Sequence, residues 1–439
     1  MEVVVHSGAT TKREMVVMNG PRRQLVFWGS IILSMSALMF LVSLPCSAKV
    51  QVRFWHILGG EIERQALETA VAAFNRSQDT IEVVSTYVAD GLTDNTKLLS
   101  AIVAGVGPDI YLIDRFTVPQ RAHAELLLPV DAYIDRAGLR GQYLAFTLTE
   151  STYEGKTYAF PLDTDSRGLY YRTDLFDEAG IDKPPTTIAD LDVVAAKLTK
   201  LDGMGNIRVA GFIPWAAEGS LYTWGWVFGV QFYDEVRKRL LLDQRPLVDS
   251  LEWIRSYAVK YGYDQLMDIL LLKQVPFASG DLAMEVNHDL RIRYLNQLGV
   301  PYRVAPIPKY RNNQYVTWSG GFALVIPKGS KHPDEAAKLA VFLTGPEGNE
   351  LYTRLGGRLP VVKSLLGKQY LVADANRAQM VQLLAVSRAR PSLPIGALLW
   401  DRMWQTEYQV IRGEAAPFGA LTELNRVMQA ELDKVLTGK

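Results

Sequence analysis

Cysteine is nearly absent from this sequence, which has one, Cys46, in 439 residues. Cys46 follows an apolar N-terminal run, so a chain cut after residue 48 would have no cysteine at all. Disulfides, thiolate metal sites and cysteine nucleophiles are then excluded from the mature protein. Its stability must come from a packed core, for which about 390 residues are ample.

An excess of either charge sign is also absent, because 47 basic residues balance 47 acidic ones. A nucleic-acid-binding protein needs a basic surplus on one face, and none is evident, so we expect no nucleic-acid partner. The sequence also lacks a Walker-type phosphate loop and a G-x-S-x-G nucleophile elbow. The segment GMGNIR (203–208) has no third glycine at the spacing of a dinucleotide-binding fingerprint.

Paired metal ligands are missing too. No two of the histidines beyond residue 48 are three or four residues apart, so no helix carries a zinc-binding pair; they are His56, His123, His288 and His332. We therefore predict neither a metal nor a cofactor.

The N-terminus has the parts of a secretory signal: basic residues, an uncharged run at 25–44, and small residues before Lys49. We predict a signal peptide over 1–48 and a periplasmic or extracellular location. Met15 or Met18 as the true start would give it an ordinary length. Two alternatives stay open. Twenty apolar residues are enough for an uncleaved membrane anchor, and Cys46 is a candidate for lipid attachment, although Pro45 fits such a site poorly.

Beyond residue 48 the hydrophobic pattern alternates between strand and helix. Strands are predicted at 49–57, 81–88 and 108–114, with amphipathic helices at 61–78 and 94–105 between them. Such β-α-β-α-β order favours a parallel sheet covered by helices. The same pattern returns later, where we predict helices at 186–201, 246–262 and 333–345 and strands at 280–287, 302–309 and 320–329.

Several blocks, in a fixed order over residues 50–362, carry a family resemblance. They are VRFWHILGGE, AGVGPDIYLID, LLPVDAYI, YEGKTYAFPLDTDSRGLYYRTDLFDEAGI, ASGDLAMEVN, APIPK, TWSGGFALVIPKGSKHPDEAAKLAVFLTGPEGN and GRLPVV. The chain resembles the extracellular solute-binding proteins, family 1, of bacterial ABC importers, the group that includes maltose- and glycerol-phosphate-binding proteins.

The resemblance implies an α/β, two-lobed periplasmic-binding-protein fold (type II-like), each lobe a mainly parallel sheet flanked by helices, with a ligand cleft between them. Hinge closure over the ligand is expected. The implied division places 50–160 and 306–360 in lobe 1, and 161–305 and 361–439 in lobe 2.

Ligands of open α/β sheets lie beyond the carboxyl ends of the strands. The first three strands end at Trp55-His56, Tyr87 and Asp114-Arg115, and these side chains are candidate contacts. Gly59-Gly60 and the helix that follows would bring free backbone N–H groups close to a ligand. A tryptophan face packs on the C–H face of a sugar, while carboxylates and amides bond its hydroxyls.

Later segments add candidates that end strands or follow prolines, namely Asp165, Arg167, Glu218, Tyr222, Trp224, Asn287, Trp318, Ser319 and Gly320. The resemblance assigns ligand contacts to the blocks that hold Asp165, Arg167, Trp224, Trp318, Ser319 and Gly320.

Structural explanations stand beside these assignments. Trp55 could belong to the core, and Asp114-Arg115 could be a salt-bridged turn. Trp226 is expected in the core. It lies two residues from Trp224, and if the segment is a strand, we expect only one of the two rings to meet the cleft.

Function follows from the resemblance. We predict a non-enzymatic, monomeric substrate-binding protein that captures a sugar or oligosaccharide and delivers it to an ABC permease. Membrane contact would occur only through that permease or an N-terminal anchor. Two alternatives stay open: an exported glycoside hydrolase using Asp163, Asp165 or Glu218, and a binding protein for glycerol phosphate esters, held by Arg115, Arg167 or a helix N-terminus.

Overall fold

A computed structural model describes residues 49–89 and 96–438. The predicted signal or anchor segment, with Cys46, lies outside the described residues, as do the first two residues of the helix predicted at 94–105. No helix in the described part of the chain is long and apolar enough to cross a membrane.

Five strands form a first sheet, in the order Ile81–Tyr87, Val50–His56, Ile110–Asp114, Phe322–Val325 and Ala159–Pro161. The first three are parallel, and Phe322–Val325 runs antiparallel to both of its neighbours. Val52 and Phe54 point into the core on alternate positions and are fully buried. The helix Glu61–Ser77 covers them with its apolar face, which includes Leu67 and Phe74.

A second sheet has the order Tyr302–Ala305, Arg167–Arg172, Leu282–His288, Ile207–Phe212 and Lys200–Leu201. Only Ile207–Phe212 and Leu282–His288 are parallel neighbours, and the other three pairs are antiparallel. Both sheets are therefore mixed, and the expectation of mainly parallel sheets is wrong in this detail. The chain crosses from one sheet to the other before Arg167–Arg172 and before Phe322–Val325. Both of these strands are antiparallel to their neighbours.

The remaining helices surround the two sheets. They are Thr96–Val103, Val118–His123, Asp131–Arg136, Ala145–Glu150, Thr173–Glu178, Ile188–Leu198, Leu221–Phe228, Arg245–Tyr261, Tyr263–Leu272, Pro276–Ser279, Arg291–Gln297, Pro333–Thr344, Pro346–Gly356, Gln369–Val372, Ala375–Leu383, Gly396–Ile411 and Pro417–Thr437. Short 3-10 turns occupy Arg115–Thr117, Lys363–Leu365 and Leu384–Val386.

Short strand pairs connect the segments that run between the sheets. Asp163–Thr164 pairs with Leu359–Pro360, and Thr317–Trp318 pairs with Ser387–Arg388. Two further pairs are hairpins, Thr152–Tyr153 with Lys156–Thr157 and Tyr233–Asp234 with Arg239–Leu240. Each of the first two pairs joins a segment that crosses between the sheets, at 163–164 or 317–318, to a segment from the C-terminal part of the chain. The lobe limits at 160/161, 305/306 and 360/361 stay a prediction.

The aromatic segment at 211–234 contains the helix Leu221–Phe228. Ser220 begins it by accepting a hydrogen bond from the Thr223 N–H, and Gly229 ends it with φ of 93°. Residues two apart on a helix point about 200° apart. Trp224 is therefore fully buried while Trp226 is partly exposed. The expectation that Trp226 is the core ring of the two is wrong, because it assumed a strand.

Candidate functional site

Two arginines and three tryptophans converge at the crossing segments, and we call this group the central cluster. The guanidinium carbon of Arg167 lies 3.4 Å from the centroid of the Trp318 ring, and that of Arg390 lies 5.2 Å away. Trp226 and Trp400 approach the same ring, with centroid separations of 6.0 and 5.8 Å. The contacts at Trp318 therefore bring together four segments that are far apart in the sequence, around residues 167, 226, 318 and 390–400.

Both sheets supply residues to this cluster. Arg167 begins a strand of the second sheet. From the first sheet, Asp114 ends a strand and accepts a hydrogen bond from Arg390 Nη2 at 3.4 Å, and Phe116 lies 4.1 Å below the Arg390 guanidinium. A molecule bound here would touch residues carried by both sheets.

The rings of the cluster differ in exposure. Trp318 is only 2% exposed, donates its indole N–H to Thr223 Oγ1 at 2.8 Å, and is covered on one face by Arg167. Trp226 and Trp400 are partly exposed, and Trp226 lines a cavity of about 920 Å³. The aromatic surface open to a ligand is therefore that of Trp226 and Trp400.

A charged triad lies against the Trp318 ring. Arg167 donates from Nη1 to Asp165 and from Nε to Glu218 Oε2, the latter at 3.1 Å. Burial acts to raise the pKa of Asp165, but the charge of Arg167 and the N–H of Gly320 outweigh it, and the pKa is lowered. Asp165 is thus ionised at neutral pH. The Glu218 side chain keeps 26% of its surface exposed, so it has acceptor capacity left for a ligand.

Arg115, in contrast, is fully enclosed. Its guanidinium donates to Glu150 Oε2 at 3.1 Å and to the carbonyls of Asp163 and Gly320 at 2.8 and 2.5 Å. Glu150 in turn accepts from Arg390 Nε at 2.9 Å. Arg115 therefore ties crossing segments together, and no donor of its side chain faces a ligand in this conformation. Asp114 and Arg115 do not pair with each other, and burial raises the pKa of Asp114.

The residues that end the first two strands lie apart from the cluster. Trp55 is half-buried against Leu98, Tyr111 and Ile113. His56 is fully buried without a hydrogen bond to either ring nitrogen. Burial, and then the charge of Arg64, lowers the pKa of His56 to about 4, so the ring is neutral.

Tyr87 is 42% exposed, with its ring centroid 5.8 Å from that of His56. No contact described here joins Trp55, His56 or Tyr87 to the central cluster. Their role as ligand contacts stays a prediction.

Trp224 is a core residue in this structure. It is fully buried, donates its indole N–H to the Pro214 carbonyl at 2.7 Å, and packs edge-on against Phe212 and Trp253. The predicted ligand contact at Trp224 does not agree with this structure, because no part of its ring is accessible, whereas the Trp226 ring is partly exposed.

The other predicted residues have mainly supporting roles. Tyr222 stacks on Trp400 with a centroid separation of 5.4 Å. Asn287 donates to Glu285 and accepts from the His288 N–H. Ser319 is fully buried and bonds Ser387. A Cβ on Gly320 would lie 3.3 Å from Asp165 Oδ2, so this position allows little more than glycine.

Sequence reasoning missed Trp400, Arg390 and Phe116. Only Trp400 carries a local signal, since Trp400, Trp404 and Tyr408 recur every four residues and mark one face of the helix Gly396–Ile411. Nothing in that spacing says which ring meets the cluster. Within the described ranges, no group of three or more His, Cys, Asp or Glu residues is placed to hold a metal ion.

The sequence matches the family of bacterial extracellular solute-binding proteins over residues 69–378, which is 310 of its 439 residues. The chain belongs to this family, and the predicted resemblance is confirmed.

Individual relatives are distant. A putative binding protein of Brucella abortus is 24% identical over 354 residues, covering 77% of this chain and 83% of the relative. A probable ABC transporter-binding protein of Deinococcus radiodurans is 24% identical, covering 72% and 78%. The sn-glycerol-3-phosphate-binding periplasmic protein UgpB of Escherichia coli is 26% identical over 198 residues, covering 43% of this chain and 45% of UgpB.

Solved structures share the fold. CpMnBP1 with mannotriose bound superposes with a TM-score of 0.77 at 24% identity, covering 86% of this chain and 99% of that one. The sugar-binding protein MalE of Xanthomonas citri gives 0.75 at 23% identity, covering 89% and 98%. The predicted two-lobed α/β fold of periplasmic solute-binding proteins is confirmed.

Proposed function

We propose that this protein is the extracytoplasmic substrate-binding component of an ABC importer, and that it captures a sugar or oligosaccharide. The central cluster carries the proposal, since two partly exposed tryptophans lie beside ion-paired carboxylates where residues of both sheets meet. Family membership supports the transport role. The names of structural neighbours, which are described with mannotriose or as sugar-binding, support the ligand class.

The chemistry of the cluster suits a pyranose. The rings of Trp226 and Trp400 offer apolar faces on which sugar C–H groups pack. Glu218, whose carboxylate is partly exposed, can accept hydrogen bonds from ring hydroxyls. Because two carboxyl groups, those of Asp165 and Glu218, share the single positive charge of Arg167, no positive charge is left for an anion. The site therefore favours a neutral, hydroxyl-rich molecule.

Capture works by closure of the two halves. A ligand that touches residues of both sheets binds the closed state better than the open one, and therefore shifts the population towards closure. The crossing segments are few and short, which is the arrangement that permits a hinge. The closed, loaded protein then meets the permease on the outer face of the membrane and acts as a monomer.

Hydrolysis is a poorer fit to the carboxylates. Asp163 is fully buried, and it accepts from the Phe322 N–H at 2.7 Å and from the Tyr352 hydroxyl at 2.9 Å. Asp165 is committed to Arg167. A glycosidase needs two carboxyl groups free to flank the scissile bond. Among Asp163, Asp165 and Glu218, the side chain of Glu218 is the most exposed.

The test is isothermal titration calorimetry with mannotriose, maltotetraose and sn-glycerol 3-phosphate. We expect a saccharide to bind without being cleaved. Trp226→Ala and Trp400→Ala should each weaken it about tenfold or more, because truncating a stacked ring removes an anchor of the interface. Trp404→Ala, one turn along the same helix, is the matched control and should keep wild-type affinity.

Other outcomes would reject the proposal or its parts. If sn-glycerol 3-phosphate bound and neither saccharide did, the ligand class would be a phosphate ester and not a sugar. Release of shorter saccharides would identify an enzyme. Equal affinity in wild type and both tryptophan variants would remove the central cluster from the binding site.

A further inference from the structure

Asp289 is a buried carboxyl group that the proposed site does not yet use. It follows the strand Leu282–His288, is only 2% exposed, and neither carboxyl oxygen has a hydrogen-bond partner among the described residues. The charges of Asp165, Arg377 and Arg358, which come from other segments, act on its carboxyl group. His288, the residue before Asp289, pairs with Arg167 of the central cluster across two neighbouring strands, so Asp289 lies at the same end of the second sheet.

Glu285, on the strand that precedes Asp289, is a buried carboxyl group that does have hydrogen-bond partners. It is also buried, at 4% exposure, yet it accepts hydrogen bonds from Asn287 Nδ2 at 2.9 Å and Arg291 Nε at 3.1 Å. Buried carboxylates are normally satisfied in this way. An unsatisfied one lowers stability, and its presence at Asp289 therefore calls for a role other than folding.

Hydrogen-bond donors near Asp289 are also unused. The contacts described for the Arg358 guanidinium are an ion pair of 3.7 Å with Asp163 and a position 5.1 Å from the Phe322 ring. Arg377 donates from Nη2 to the Arg358 carbonyl at 3.2 Å, while its Nε has no partner in the described structure. Neither arginine forms an ion pair with Asp289 within the described ranges.

The charges around Asp289 indicate the class of ligand. Arg358 and Arg377 lie among three carboxyl groups, those of Asp163, Asp165 and Asp289. No positive surplus is left for a phosphate, so an anion gains little here. A neutral diol suits the site better, because its hydroxyls donate to a carboxylate with two free oxygens and accept from arginine.

We propose that Asp289 and Arg358 form a second polar subsite of the cleft, which binds adjacent hydroxyl groups of the saccharide. This inference rests on the proposed function. Asp289 is enclosed in the described conformation, so the ligand reaches it when the two halves separate, and closure then buries the new hydrogen bonds.

The experiment compares wild type with Asp289→Asn, Asp289→Ala and the matched control Glu285→Gln. Calorimetry with mannotriose and maltotetraose at pH 8, above the pKa of about 7 for Asp289, gives the affinity for the ionised carboxylate. The melting temperature without ligand gives stability. We expect both Asp289 variants to bind about tenfold more weakly or worse, since hydrogen bonds to a charged group are lost. Their melting temperatures should equal or exceed that of wild type. Glu285→Gln should melt lower and bind saccharide as wild type does.

The outcomes separate this inference from the proposed function. Wild-type affinity in both Asp289 variants would overturn the subsite while leaving the sugar-binding function intact. A lower melting temperature in both variants, with affinity lost in parallel, would identify a structural residue and also overturn it. If wild type binds neither saccharide, the proposed ligand class fails and the subsite fails with it.

Discussion

Arg390 is buried, and it contacts carboxylates and aromatic rings at once. It donates to Glu150 and Asp114, and its guanidinium plane lies over Phe116 and near Trp318. A planar guanidinium can bond at its edge and stack on its face, which an ammonium group cannot do. Side-chain contacts of this kind connect segments of the two sheets, in addition to the backbone that runs between them.

The unpaired carboxyl of Asp289 should make stability depend on pH. Burial, and then the charge of Asp165, raises the pKa of Asp289 to about 7. Between about pH 4 and 7 the folded protein keeps a proton that the unfolded chain has released, so its free energy of unfolding falls as pH rises. Asp289→Asn has no such proton. The free energy of unfolding of this variant, relative to that of wild type, should therefore rise by up to about 4 kcal/mol over this range and then stay level.

Urea unfolding of both proteins at pH 4.5, 6 and 8 measures this advantage. The pKa of Arg358 is raised, so it stays charged throughout, and Glu285→Gln controls for other buried carboxyl groups. A difference between wild type and Asp289→Asn that does not change with pH would show that Asp289 is ionised in the folded protein.

At this scale the sequence identified part of the cluster. Asp165, Arg167, Glu218 and Trp318 were predicted from strand ends, prolines and the family blocks, and the structure brings these four together. Trp224 was chosen over Trp226 because the rotation of a helix cannot be read without knowing that the segment is a helix. Asp289 could not be found, since a missing partner is a property of the folded chain.

Among the elements, the helix Leu221–Phe228 sets the site by its packing. It turns Trp224 into the core and Trp226 towards the Trp318 ring. A Cβ on Gly225 would lie 2.5 Å from Phe232 Cζ and 3.1 Å from a Leu247 methyl. Glycine at this position lets the helix approach its neighbours closely, and that approach holds Trp226 in place.

Gly225→Ala should therefore destabilise the protein, although alanine favours helices. We expect the free energy of unfolding to fall by about 1–3 kcal/mol because the core is overpacked. The control is Gly419→Ala in the helix Pro417–Thr437, where nothing lies within 4 Å of the new Cβ. It should gain about 0.5–1 kcal/mol. Urea denaturation measures both, and a stabilised Gly225→Ala would contradict the described packing.

Elements were predicted well where both periodicity and boundary residues were clear. The helix predicted at 61–78 is Glu61–Ser77, and that at 333–345 is Pro333–Thr344. Glycine or proline bounds both. Strand directions were predicted poorly, because pairing across the crossing segments depends on residues more than 150 positions apart, such as Ala159 and Val325.

For the whole molecule, we expect ligand-driven closure. Both sheets contribute to the central cluster, so a bound saccharide should draw the halves together. Small-angle X-ray scattering with and without the saccharide that binds in calorimetry should show a smaller radius of gyration in the complex. Trp400→Ala at the same ligand concentration is the control and should respond less. An unchanged radius in the saturated wild type would contradict closure.

The position of Phe322–Val325 inside the first sheet has a consequence for synthesis. This strand separates Ile110–Asp114 from Ala159–Pro161, so the sheet stays incomplete until residue 325 of 439 has left the ribosome. The first sheet therefore gains its fourth strand late in synthesis, and pairings between such distant segments form slowly. Until then, one edge of the strand Ile110–Asp114 has no partner from this sheet, although this strand already pairs with Val50–His56 on its other side.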